Sequence, residues 1–189
     1  IACNTATTNA IQEIRNLFPI PVIGIEPAIK PALLNTKTNK IGILATEMTL
    51  TSSLFNQTSN KFSDNIEIIE QIGFGLVNLI EKGDINAKKT KQLLKSYLDP
   101  MLDSNIDQLV LGCTHYHFLV PIIRQIIPKE ITIQDPNKVI AKQIKKILNR
   151  ENLENPLKNS YKNKVYVNGN TEIIKNIINS KGDVDFLDF

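Results

Sequence analysis

Two cysteines, Cys3 and Cys113, stand in matching surroundings 110 positions apart in a chain of 189 residues. Around the first the sequence reads ACNTATT and runs through an amphipathic stretch to PIPVIGIE; around the second it reads GCTHYHF and runs through IIRQIIP to ITIQD. Each copy orders a small residue, Cys, polar residues, a helical stretch, Pro, a short strand and an acidic residue. Cys3 precedes Glu26 by 23 positions and Cys113 precedes Asp135 by 22, so one unit fits both with a single-residue adjustment. A thiol where a strand ends and a helix begins sits at the edge at which open α/β sheets bind ligands, and the positive end of the helix favours its thiolate. Two such units facing each other would put one thiol on each side of a ligand. Each thiol carries one proton, so one can act as base while the other acts as acid on the opposite face of the same carbon.

Competing readings use fewer of these residues. Cys113, His115 and His117 have the C-x-H-x-H spacing of soft metal ligands, although structural zinc sites usually show a second pair. Cys113 with His115 also has the composition of a nucleophile and its base in a thiol hydrolase or transferase. Either thiol, taken singly, reads as a small buried residue at a strand end. Asn4, Thr5, Thr46 and Thr49 read as helix caps as readily as ligand contacts, and Glu26 and Asp135 read as caps at strand-to-helix turns. The doubled setting is what favours paired proton transfer.

The elements that must position these groups follow from hydrophobic period. Short runs rich in Ile and Val alternate with longer stretches of helical period, the pattern of βα units around a mainly parallel sheet. Strands are predicted at Pro21–Ile25, Lys40–Ala45, Ile66–Ile69, Gln108–Leu111, Glu130–Ile133, Lys164–Val167 and Asp185–Leu187. A helix is predicted after Thr8, where Ile11, Ile14, Leu17 and Phe18 recur, and another at Ala87–Leu102. The polar stretch Asn149–Lys162, with Pro156, reads as a linker or surface loop. The predicted fold is α/β, with two similar lobes, each a mainly parallel sheet flanked by helices, and the active site in the cleft between them. The first lobe is read as residues 1–27 with 137–189, and the second as 28–136.

Composition narrows the function classes. Hydrophobic residues make up 42% of the chain, enough for a packed core, and no apolar run approaches the roughly 20 residues that span a bilayer. Lys and Arg number 22 against 19 Asp and Glu, with 6% aromatics and no Trp, which lacks the basic and aromatic footprint of a nucleic-acid binder. A small anionic substrate suits this balance. No P-loop or Gly-rich dinucleotide fingerprint is present, and no metal or cofactor is called for. The opening IACN reads as the end of an apolar element that begins upstream, so the chain is expected to be a piece of a longer one. No signal-peptide pattern is read in it, which points to the cytoplasm and to free thiols.

The segments ACNTAT around Cys3 and LGCTHY around Cys113, with GILAT and LIEKG between them, resemble the signature segments of the glutamate racemase family. The resemblance spans essentially the whole chain. It implies a cofactor-independent enzyme in which Cys3 acts on D-glutamate and Cys113 on L-glutamate, with His115 assisting Cys113. It assigns Asn4, Thr5, Thr46, Thr49 and Thr114 to holding the substrate's carboxylates and ammonium, and Glu81 to an accessory acidic position. It further implies synthesis of D-glutamate for peptidoglycan, in the cytoplasm, by a protein that often forms homodimers. The family's helper for the first thiol is an Asp in an Asp-Ser-Gly segment that no position here supplies. Met48, Asn78 and His117 stand where the family often carries Gly, Pro and Pro.

Overall fold

A computed structural model describes residues 1–60, 65–155, 163–178 and 182–189. The chain runs α1 (Asn4–Leu17), α2 (Ile29–Asn35), β1 (Lys40–Ala45), α3 (Glu47–Leu50), α4 (Ser53–Asn60), β2 (Glu67–Ile72), α5 (Leu76–Glu81) and α6 (Lys88–Asp103). It continues through β3 (Gln108–Gly112), a 3-10 segment (Thr114–Leu119), α7 (Val120–Ile126), β4 (Thr132–Gln134), α8 (Asn137–Arg150), β5 (Asn163–Val167), α9 (Thr171–Ile177) and β6 (Gly182–Phe186). These elements form two α/β lobes. One holds a four-stranded parallel sheet in the order β2-β1-β3-β4, and the other a parallel pair, β5-β6.

The alternation along the two central strands explains why helices cover both faces. Ile41, Ile43 and Ala45 of β1, with Val110 of β3, pack on Ile29, Leu33, Leu50 and Phe55. Leu44, Leu109 and Leu111 face the other way onto Leu76, Ile80, Leu94, Leu98 and Met101. With five of six residues of β1 and all five of β3 buried, both strands read as near-continuous apolar runs. Each fully buried Leu or Ile contributes about 1.5–3 kcal/mol of transfer free energy. No helix among the described residues is long and apolar enough to cross a membrane.

The strand at Lys40–Ala45 lies where predicted, and those at Ile66–Ile69, Gln108–Leu111, Glu130–Ile133, Lys164–Val167 and Asp185–Leu187 shift by one to three residues. The helix predicted at Ala87–Leu102 spans Lys88–Asp103. Pro21–Ile25 forms no strand. Its backbone is tied to Ile1, whose N donates to Ile23 O at 2.6 Å and whose O accepts from Ile25 N at 3.1 Å, and to Arg15, whose Nε and Nη2 donate to Val22 O at 3.3 and 3.1 Å. Pro21 has no N–H to contribute to a ladder. The predicted loop at Asn149–Lys162 overlaps the end of α8, which continues to Arg150, and its residues 156–162 lie outside the described residues.

Candidate active site

The register of the larger sheet fixes the first part of the site. Ala45 of β1 lies opposite Gly112 of β3, so the next residues, Thr46 and Cys113, leave the carboxyl ends of neighbouring parallel strands side by side. A Cβ on Gly112 would stand 2.5 Å from that of Ala45, so the close pairing needs glycine there. Cys113 (φ −146°, ψ 134°) caps the 3-10 segment, and Cys3 (φ −149°, ψ 124°) caps α1. The two thiols thus leave the backbone in nearly the same conformation. Cys3 Sγ accepts from Ala6 N at 3.5 Å, and Thr114 Oγ1, beside Cys113, donates to the carbonyl of Ala2, beside Cys3, at 3.3 Å.

Both cysteines are free, Cys3 exposed and Cys113 partly buried. Cys113 departs from the expectation that a helix start lowers a thiol's pKa. Burial pushes it up; the amides of His115 and Tyr116 oppose this, and negative charge on Cys3 and Glu81 pushes it further up. The repulsion between the thiol charges favours one thiolate and one thiol over two thiolates.

His115 bridges Cys113 and Glu81. Its Nδ1 lies 3.9 Å from Cys113 Sγ and its Nε2 lies 3.2 Å from Glu81 Oε1. In the tautomer protonated at Nε2, the ring donates to Glu81 and leaves Nδ1 free to accept the thiol proton. His117 turns elsewhere, its Nδ1 2.9 Å from Asp135 Oδ2. The two histidines therefore diverge, and no group of three His, Cys, Asp or Glu among the described residues is placed to hold a metal ion.

Thr5 meets Thr46 and Thr49, more than 40 positions away, in a triangle of hydroxyls. Thr5 Oγ1 lies 2.7 Å from Thr46 Oγ1 and 3.1 Å from Thr49 Oγ1, and the last two are 2.9 Å apart. Asn9 Nδ2 fastens α1 to α3 by donating to the Thr5 and Met48 carbonyls at 2.8 and 3.1 Å. Met48 itself is 61% exposed and does not intrude on the turn. Thr46 stands at the start of α3, yet its hydroxyl makes no capping bond. Asn4 is 2% exposed, and its Nδ2 is the one buried side-chain nitrogen or oxygen among the described residues without a partner. Such a donor costs about 1–3 kcal/mol until an acceptor arrives. The hydroxyl triangle and this amide are each uncharged groups able to donate to a carboxylate. Asp135 does cap as read, accepting from Asn137 N at 3.0 Å, whereas Glu26 makes no such bond among the described residues.

Sequence reasoning missed the post behind Cys113. Tyr116 is fully buried and its hydroxyl donates to Gly73 O at 3.0 Å, while Gly73 N donates to Ala45 O at 2.9 Å. A Cβ on Gly73 would collide with that hydroxyl, so this glycine is the space the tyrosine needs. The CTHY segment gave the tyrosine; only its partner, 43 positions away, was illegible. A cavity of about 610 Å³ lies between His115, Glu81 and Phe118 on one side and Tyr166, Asn170 and Ile174 on the other.

Comparison with known proteins agrees with this geometry. The chain is 40% identical over 154 residues to the glutamate racemase of Pseudomonas syringae pv. tomato, covering 81% of this chain and 56% of that protein. It is 44% identical over 148 residues to the glutamate racemase of Ralstonia pickettii, covering 78% and 52%. The chain thus spans about half the length of the curated relatives it matches. Its fold superposes on the crystal structure of Escherichia coli glutamate racemase in complex with L-glutamate and the activator UDP-MurNAc-Ala, with a TM-score of 0.83 and 28% identity over 99% of this chain and 72% of that one. The Bacillus anthracis glutamate racemase isoform RacE1 gives 0.84 and 25% over 100% and 73%. A family model described as Asp/Glu/Hydantoin racemase matches residues 1–144, more than half of the sequence, and the chain belongs to that family.

Proposed function

We propose that these residues carry the two-thiol centre of a glutamate racemase, interconverting L- and D-glutamate without a metal or organic cofactor. The observation that carries this reading is the matched pair of cysteine caps, Cys3 and Cys113, linked through the Thr114 to Ala2 bond. With D-glutamate bound, the Cys3 thiolate takes the α-proton from one face, and the electron pair left on carbon takes a proton from the Cys113 thiol on the other. With L-glutamate the roles reverse, and His115 assists Cys113 by accepting its proton. Asn4, Thr5, Thr46, Thr49 and Thr114 hold the two carboxylates and the ammonium. Uncharged donors suit this task, because a lysine would bring a competing proton. Glu81 orients His115.

On this reading the first lobe comprises residues 1–27 with 137–189, and the second residues 28–136. The product supplies peptidoglycan synthesis in the cytoplasm, and the working form is a homodimer. The relatives named glutamate racemase and the sequence segments around each thiol support glutamate over aspartate as substrate. The test is inversion and α-proton exchange in D2O with D- and L-glutamate and with both enantiomers of aspartate. Inversion of glutamate well above aspartate supports the reading; exchange with aspartate alone replaces the substrate, and exchange with neither removes the reading.

A further inference from the structure

The proton transfers proposed above make no use of His117 or Asp135. Both oxygens of Asp135 are nevertheless engaged, Oδ2 by His117 Nδ1 at 2.9 Å and Oδ1 by the amide of Asn137 at 3.0 Å. The pair lines the same small cavity as Asn4, Cys113 and Thr114. Asn4, whose buried Nδ2 is without a partner among the described residues, lines that cavity too. A carboxylate of the protein therefore stands beside the place where, on the racemase reading, a carboxylate of the substrate must arrive.

An unpaired Asp135 would act against binding in two ways. Its charge would repel the incoming anion, the more so because Ile25, Leu111 and Pro136 make that wall apolar. Its freed oxygen would also compete for the amide of Asn4. His117 opposes both effects, since it supplies a donor, and when protonated a positive charge, to Oδ2. Side-chain exposures of 47% for His117 and 30% for Asp135 mean that solvent softens the interaction, so the effect is one on affinity and not on folding.

We infer that His117 is a positioning residue: by holding Asp135 Oδ2 it keeps that carboxylate engaged and off Asn4, leaving the cavity beside Cys113 receptive to an anionic substrate. This inference rests on the racemase reading for the identity of the anion. Steady-state racemisation and calorimetric binding of glutamate, measured side by side, test it. His117→Ala raises both KM and Kd about tenfold and leaves kcat within about twofold. Adding Asp135→Asn, which keeps an oxygen for the Asn137 amide, restores most of the lost affinity, a rescue that a merely structural contact would not show. If His117→Ala does not fold, His117→Leu, which supplies neither a donor nor a charge, takes its place with the same expectation. An unchanged KM and Kd in the single variant, or a double variant as impaired as the single one, overturns the inference and leaves the racemase reading intact. If the protein binds glutamate without inverting it, the racemase reading falls and the binding constants of the variants decide the inference by themselves. Glutamate neither bound nor turned over removes both.

Discussion

Thr114 Oγ1 donates to the carbonyl of Ala2 at 3.3 Å, so the residue after one thiol is bonded to the residue before the other. This contact joins positions 112 apart in sequence and bears directly on the separation of Cys3 and Cys113. Thr114→Val removes the hydroxyl with little change of volume. It should lower kcat about tenfold in both directions, because a misplaced second proton carrier slows protonation of the carbanion whichever thiol began the reaction. Kinetics in both directions check this, and an unaltered kcat shows that the bond does not set the spacing.

His115 Nδ1 lies 3.9 Å from Cys113 Sγ, so it serves the transfer that begins at Cys113. His115→Asn should therefore lower kcat more from L to D than from D to L, with kcat/KM falling alike in both as the overall equilibrium requires. Equal losses in the two kcat values would make His115 a structural residue.

Charge on Glu81 is one of the influences that push the Cys113 pKa up, after burial as the largest. Glu81→Gln removes that charge, so the proton leaves Cys113 at lower pH. The alkaline limb of the bell-shaped kcat/KM profile should move to lower pH, as measured over the pH range in which the enzyme is stable. A shift to higher pH contradicts the assignment of that limb to the thiol beside Glu81.

Tyr116 and Gly73 should matter to stability before chemistry. Tyr116→Phe leaves the buried Gly73 carbonyl without its donor and should cost about 1–3 kcal/mol in urea unfolding. Gly73→Ala should cost at least as much, since the new methyl meets a fully buried tyrosine that cannot move aside. Wild-type stability of Gly73→Ala would show that the post yields.

Asp107 couples stability to acid. Burial pushes its pKa up, but the Thr36 hydroxyl and the amides of Lys37 and Thr38 outweigh this and hold it below the ordinary carboxylate value. A group depressed in the folded state contributes stability that is present above its unfolded pKa, about pH 4, and is lost as pH falls through the folded value. Asp107→Asn should lower stability at neutral pH and flatten its decline below about pH 4. Parallel acid limbs for the two proteins would place the sensitive group elsewhere.

What the sequence revealed depended on whether the information was local. Lys40–Ala45 was legible as a strand because its residues are nearly all apolar, as in a sheet centre covered on both faces. Pro21–Ile25 has similar composition, yet its bonds go to Ile1 and to the Arg15 side chain and form no ladder, which composition does not record. The two thiols were legible from the repeated context, and the threonines only through resemblance, because Thr5 and Thr46 are separated by 41 positions and only folding brings them together. The raised pKa of Cys113 was illegible for the same reason. The helix start is local, whereas the burial that overrides it comes from packing among the 3-10 segment, β3 and α5.

The most direct measurement is inversion of D- and L-glutamate in D2O by the protein and by its Cys3→Ser and Cys113→Ser variants, with deuterium incorporation followed alongside optical rotation. The account predicts that either substitution lowers inversion on the order of a thousandfold or more, because one face of the carbanion loses its proton carrier. Near-normal inversion by either serine variant would contradict the two-thiol mechanism.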